Sequence, residues 1–249
     1  MRRATLLSLL LATLPVLAAD VTVHTMAQTS LPPKWIGRDS GVEGVCPDIL
    51  AAMARAEPQL HFIGHQNFGS VPMIEKALES GRIACACALL DTPERRRIAR
   101  RSQQPLYTVH QRVAAASHDN ASVASLEELV RLRSRIATSR GAGYADMLRS
   151  MGLDVDDSTS DNLVNLKKIL AGHDRFFYMN DLTTVWLLRE YNLQGQIRLL
   201  PATLKDEPVY FWISRQATWQ QTKLLESALQ KIQTSGELAR IYERWSSER

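Results

Sequence analysis

The sequence predicts an α/β protein made of two similar units, and three observations carry that expectation. From Val21 to Leu90 the pattern runs strand, helix, strand, helix, strand, the order that builds a parallel sheet with crossover helices. The same theme returns between Ser125 and Leu200. A strand and two helical stretches are then left over at the end of the chain. No internal repeat, low-complexity tract or long linker interrupts this order.

Val21 to Thr25 reads as the first strand, and a loop containing Pro32-Pro33 follows. Pro47 to Ala56 reads as a helix, with Pro47 in the first turn, where a missing N–H costs nothing, and Ile49, Leu50, Met53 and Ala54 on one apolar stripe. Leu60 to Gly64 is the second strand. Val71 to Glu79 is a helix that Gly81 closes as a C-terminal cap. Arg82 to Leu90, rich in small residues, fits a strand covered on both faces.

In the second unit Ser125 caps a helix to Leu132, with Glu127 and Glu128 in its first turn. Arg135 to Ser139 is a strand, and Gly141-Ala142-Gly143 leads into a helix from Tyr144 to Met151. Asp154 to Ser158 is a strand, Ser160 to Ala171 a helix closed by Gly172, and Arg175 to Asn180 a strand. A helix from Leu182 to Tyr191 and a strand from Ile197 to Leu200 complete the unit. Beyond it lie a strand at Pro208 to Ser214, a helix at Thr218 to Thr234 and a last helix at Gly236 to Trp245. Leu224, Leu225, Ala228, Leu229 and Ile232 form the buried stripe of the longer helix.

The start of the 249-residue chain reads as an address. Arg2 and Arg3 precede an apolar run from Ala4 to Val16, and small residues then offer cleavage after Ala18 or Ala19. That is the layout of a secretory signal peptide, and the run is shorter than the ~20 residues of a membrane span. No cysteine follows it to take a lipid anchor, so a soluble, exported mature chain is expected. Without Arg2 and Arg3 the chain carries 28 basic and 26 acidic residues, and this near-balance argues against a nucleic-acid partner. The one basic cluster, Arg95 to Arg101, reads as a solvated helical face, Arg95 excepted.

Export permits a disulfide, and three cysteines leave one thiol over. Cys85 and Cys87 would share a strand face, so Cys46 could reach either. The six histidines are scattered, and no metal or cofactor is expected.

Several short motifs recur in order along the chain: Gly44-Val45-Cys46-Pro47-Asp48-Ile49, Leu78-Glu79-Ser80-Gly81-Arg82-Ile83, Thr92-Pro93-Glu94-Arg95, Pro105-Leu106-Tyr107, Ser125-Leu126-Glu127-Glu128-Leu129, and Gly236-Glu237-Leu238 through Trp245. Through them the chain resembles the family 3 periplasmic solute-binding proteins, the polar amino acid class, over essentially its whole mature length. The resemblance implies a two-lobed periplasmic-binding-protein fold, each lobe a mostly parallel sheet flanked by helices, joined by two crossover strands. After a signal peptide at 1–19, residues 20–113 and 209–249 would form the first lobe and 114–208 the second. The lobes would close on a small ligand, an amino acid or related carboxylate, and present it to the permease of an ABC transporter. A monomer is expected.

The same resemblance assigns the site. Arg95 stands at the family's Thr-x-Glu-Arg position, where a planar guanidinium can grip both oxygens of a ligand carboxylate. The Gly141-Ala142-Gly143 turn matches the family's second anion site, where successive backbone N–H groups and the start of a helix face an anion. The family's ammonium-binding aspartate falls, counted without gaps, on Asn180. A strand bulge would bring Asp181 into the cleft instead, and Asp181 is the preferred choice. Leu90 stands where the family often has a hydroxyl, so one hydrogen bond to the carboxylate, typically worth ~1 kcal/mol, is lost or rerouted. The usual aromatic position of the first loop holds Leu31, with Trp35 nearby. Phe68 ranks above Trp35 as the aromatic wall. The family placement also favours a Cys46–Cys87 disulfide, leaving Cys85 as a buried thiol.

Two other functions share this scaffold. One is a periplasmic dehydratase-like enzyme, which would need an acid in the cleft. The sequence offers only Glu43 and Glu207 for that part, so no enzyme is expected. The other is a ligand-presenting sensor, which would need a separate membrane partner.

Overall fold

The structure is a computed structural model that describes residues 19–29 and 31–246. The expected signal peptide therefore lies, up to residue 18, outside the described residues.

In chain order the elements begin with β1 (Val21–His24), β2 (Ala27–Gln28), a hairpin of β3 (Ile36–Arg38) and β4 (Gly41–Glu43), and α1 (Val45–Ala56). Then come β5 (Leu60–Ile63), β6 (Phe68–Gly69), α2 (Val71–Glu79), β7 (Cys85–Leu90), α3 (Pro93–Ile98), β8 (Ala99–Arg101) and β9 (Tyr107–Ala116). The middle of the chain supplies α4 (Leu126–Arg131), β10 (Ile136–Ala137), α5 (Ala145–Ser150), β11 (Val155–Asp156), α6 (Asn162–Leu170), β12 (Phe176–Asn180), α7 (Asp181–Glu190) and β13 (Ile197–Leu199). The last elements are β14 (Lys205–Ser214), α8 (Trp219–Thr234) and α9 (Glu237–Ser246).

Local chemistry explains most of the ends. Asp161, Asn180 and Thr218 each accept the N–H groups that open α6, α7 and α8, and Thr218 forms a reciprocal capping box with Gln221. Gly44 precedes α1 with φ 129°, and a Cβ there would stand 2.3 Å from the Pro33 carbonyl oxygen, so only glycine lets these two backbones meet.

The fold is the two-lobed periplasmic-binding-protein fold. β1 and β5 pair in parallel, and Ala84 N–H bonds the His24 carbonyl, tying β1 to the approach of β7. In the other lobe β10 pairs in parallel with β11 and β12. β9 and β14 join the two halves. β9 pairs antiparallel with β12 along residues 111–115 and with β14 along 107–111, and β14 continues onto β7 and β8. One sheet, ordered β11-β10-β12-β9-β14-β7, thus runs through both lobes.

Apolar faces fill both sides of that sheet. Phe211 and Ile213 of β14 pack with Ile49, Met53, Leu225 and Ile232 beneath α1 and α8. Trp212, pointing the other way, packs with Ile74 and Leu78 of α2. In the second lobe Phe177 and Met179 face α6 and α7, whereas Phe176 and Tyr178 face α4 and α5.

The residue pattern placed most elements within a few residues. It did not show β9, the β3–β4 hairpin or β8, and it began β14 at Pro208, three residues after Lys205. β7 is also less regular than its sequence reads. Its register with β14 shifts between Tyr210 and Trp212, and Ala88 takes φ 56°, so a bulge sits beside Cys87. Cys46 and Cys87 form a disulfide with Cα atoms 5.9 Å apart, and Cys85 is a buried free thiol.

Candidate functional site

A cleft of about 430 Å³ opens between the lobes. The first lobe lines it with the Pro32–Arg38 segment and Phe68, the second with the start of α6 at Asp161–Leu163 and with Trp186, Glu190 and Tyr191 of α7. Pairing of β2 with β6 places Phe68 opposite Ala27, and its ring lies over Gly37, where an added Cβ would come within 3.4 Å of it. Leu31 leaves its own lobe and packs against the second-lobe cluster that holds Leu187 and Leu188. Arg38 crosses the gap as well, with Nη1 2.9 Å from Glu190 Oε1.

Of the residues predicted for the site, Phe68 and Trp35 line this cleft together. Phe68 is 37% exposed, and Trp35 is rooted in the first-lobe core with little surface left. Arg95, Leu90, Gly141, Ala142, Gly143, Asn180 and Asp181 are not among its lining residues.

Arg95 sits in α3 and is 5% exposed, unlike its exposed neighbours Arg96 and Arg97. Thr92 Oγ1 caps the helix by accepting the Arg95 N–H at 3.1 Å. The guanidinium is already engaged: Nη2 donates to Glu75 Oε1 at 2.7 Å, Nη1 donates to the Leu90 carbonyl oxygen, and the group lies 5.6 Å from the Trp212 ring centre. Its Nε has no partner and is buried. Leu90 therefore bears on Arg95 through its backbone oxygen.

The Gly141–Gly143 turn follows β10. Arg140 N–H donates to the Thr159 carbonyl and Ala142 N–H to the Ser139 carbonyl, at 2.8 and 3.1 Å. The Ala142 amide is thus spent inside the turn. Gly141 takes φ 76°, and a Cβ at either glycine would meet open space.

β12 runs in unbroken register against β9 from Phe176 to Asn180, so the bulge required to turn Asp181 into the cleft is absent. Asp181 Oδ1 accepts the His110 N–H at 3.1 Å and that of Leu182 at 2.8 Å. Asn180 is buried at the strand end, its Oδ1 accepting the Thr183 N–H at 2.8 Å as the cap of α7.

Sequence reasoning missed three polar residues around Arg95. Lys34 is 4% exposed, and its Nζ lies 2.5 Å from Gln28 Oε1. Burial, with the nearby positive charge of Arg95 added, pushes the Lys34 ammonium well below its ordinary pKa. Glu75 is the third. Apart from its chemistry, a lysine between Pro33 and Trp35 gave no sign that it would be buried, because lysine rarely is.

A second polar group lies where the crossover strands meet. Glu207 of β14 is buried, its Oε2 accepting from Gln111 Nε2 at 2.6 Å and its Oε1 standing 2.9 Å from Lys205 Nζ. Tyr144 meets Tyr178 edge-on at 5.1 Å, and the Tyr178 hydroxyl and Gln111 Oε1 are buried without partners. Burial first, then the Glu207 charge, raises the Tyr178 pKa.

Two α/β lobes strung on paired crossover strands, with a cleft lined from both sides, define a clamshell binding protein. The chain belongs to the bacterial extracellular solute-binding proteins, family 3, whose family model matches residues 23–248. A comparison with curated proteins finds no match. Among solved structures the chain is similar to a histidine kinase sensor domain with similarity to periplasmic binding proteins (18% identity, TM-score 0.74, 91% of this chain and 96% of that one). It is also similar to a binding component of an ABC transporter from Wolinella succinogenes complexed with lysine (18% identity, TM-score 0.74, 90% and 95%). A third is an ancestral amino acid-binding protein, a precursor of cyclohexadienyl dehydratase (16% identity, TM-score 0.71, 91% and 96%). At these identities the likeness is one of fold. Among the described residues no helix is long and apolar enough to cross a membrane, and no group of His, Cys, Asp and Glu could hold a metal ion.

Proposed function

We propose that this chain is a periplasmic solute-binding protein that captures a small carboxylate, an amino acid or a relative of one, and delivers it to an ABC-type permease. The observation that carries the reading is the cleft of about 430 Å³ walled by both lobes, a volume in the range of small-molecule sites. Glu75, which bonds Arg95, stands one turn into α2, the helix that starts two residues after Gly69, the neighbour of Phe68. In this reading the ligand carboxylate takes the partnerless Arg95 Nε–H and competes with Glu75 for Nη2. Residues 20–113 with 209–249 move against 114–208, bending where β9 and β14 pair.

A binding role suits the acids better than catalysis does. Glu43 is paired with Arg38 at 2.7 Å, and both Glu207 oxygens are engaged, so neither stands ready to give a proton to a substrate. The sensor domain among the similar structures keeps a ligand-presenting role as the second reading.

The test is a thermal-shift screen of amino acids and small organic acids on refolded, ligand-free protein. A ligand at 100 times its dissociation constant stabilises by ~2.7 kcal/mol. A panel in which no compound moves the melting point rejects the reading.

A further inference from the structure

Lys34 and Arg95 place two buried basic side chains in one corner of the first lobe, and the carboxylates nearby, Glu75 and Asp91, both answer Arg95. Glu75 bonds Arg95. No carboxylate among the described residues lies within ion-pair distance of Lys34, whose ammonium donates to the neutral oxygen of Gln28. Held out of water without a carboxylate, the Lys34 ammonium is disfavoured, and an anion arriving from outside would restore its charge. The corner also adjoins the cleft. Lys34 sits between Pro32 and Trp35, both of which line it, and Gln28 pairs across β2–β6 with Gly69, the neighbour of Phe68.

We infer that Lys34 is a second anion-binding residue beside Arg95, and that the ligand is a small dicarboxylate with net negative charge. The inference rests on the solute-binding reading above and narrows it. A zwitterionic amino acid brings no net charge and would leave Lys34 without a counter-charge. A molecule with two carboxylates can give one to Arg95 and one to Lys34. The other end of the site agrees. Asp181 Oδ1 is taken by the His110 and Leu182 N–H groups, and Asn180 is neutral and spent as a helix cap, so an ammonium group finds less negative charge free at these positions.

Isothermal titration calorimetry on refolded, ligand-free protein tests this with four probes: succinate, L-glutamate, L-glutamine and L-arginine. Succinate and glutamate should each bind at least tenfold more tightly than glutamine and arginine. K34M should reduce the glutamate-over-glutamine preference at least tenfold, and K34R should keep most of it. Because the substitution removes a buried amine and keeps an unbranched side chain, K34M should fold, with an unchanged circular dichroism spectrum; K34Q serves if it does not. Glutamine or arginine binding as tightly as the diacids overturns the inference and leaves solute binding standing. So does an unchanged preference in a folded Lys34 variant. Binding of none of the panel, or of a wider set of polar solutes, removes the underlying reading as well.

Discussion

Arg38 Nη1 stands 2.9 Å from Glu190 Oε1, and this ion pair ties the β3–β4 hairpin of one lobe to the end of α7 in the other. Arg38 is held from behind by Glu43, with Nε 2.7 Å from Oε1, so its side chain is aimed before the lobes meet. Both partners are substantially exposed, and such a pair is worth at most ~1 kcal/mol. E190Q should therefore weaken ligand binding by no more than about fivefold, and the difference should shrink as salt is raised. Calorimetry at low and high ionic strength reads both effects; an affinity loss that ignores salt would assign Glu190 another role.

Glu75 competes with a ligand for Arg95 if the guanidinium is the anchor. E75Q, which keeps the shape and removes the charge, should then tighten carboxylate binding several-fold, whereas R95M should abolish it. R95M also strands the Glu75 carboxylate and costs apo stability, on the order of 1–3 kcal/mol. The two variants separate the roles: weaker binding in a folded E75Q protein would mean that Glu75 orients Arg95.

The Cys46–Cys87 bridge closes a loop with a sequence separation of 41. In the chain-entropy account a loop of this size stabilises the fold by about 4 kcal/mol. The C46S/C87S double variant should lose stability on that scale in urea titrations. Peptide mapping should recover the Cys46–Cys87 pair, and a Cys46–Cys85 peptide would contradict the structure.

Burial pushes the Cys85 thiol up to about 12, although Thr25 donates a hydrogen bond in the opposing direction. The free cysteine should resist iodoacetamide at pH 8 in the native protein and react at once in denaturant. Fast labelling under native conditions would show that β7 opens locally.

Asp119 takes Arg175 Nε at 2.7 Å and Nη2 at 3.1 Å, and the Ala121 N–H at 2.8 Å. The Arg175 hydrogen bond, chiefly, holds its carboxyl below the ordinary value of 3.8. A depressed folded-state value adds stability above the unfolded pKa, and that stability disappears as pH falls through the folded one. Because Arg175 is largely exposed, the contribution is ~1 kcal/mol at most. Denaturation midpoints of wild type and D119N should differ at pH 7 and converge below pH 3. A gap of equal size at both pH values would mean that the charge of Asp119 does not matter.

The parallel-sheet units and the two last helices were legible because apolar stripes and a cap such as Ser125 are local signals. β9 escaped because Tyr107–Ala116 changes partners midway, leaving one lobe's core for the other's, and no single periodicity describes both halves. The bulge at Ala88 and the partnering of Arg95 by Glu75 depend on contacts between distant segments. Lys34 escaped for the opposite reason: its residue type points to solvent, and only the assembled loop buries it. The position of Asn180 at the strand end was readable by counting, but the unbroken register of β12 against β9 was not.

The ladder between Tyr107–Gln111 and Lys205–Val209 binds the two connecting strands into one ribbon. Two independent tethers would let the halves twist, shear and slide. A single hydrogen-bonded spine leaves them mainly one degree of freedom, the angle between the covers. Any residue that reshapes this short ribbon sets the resting aperture of the whole molecule, however far it lies from what the molecule holds.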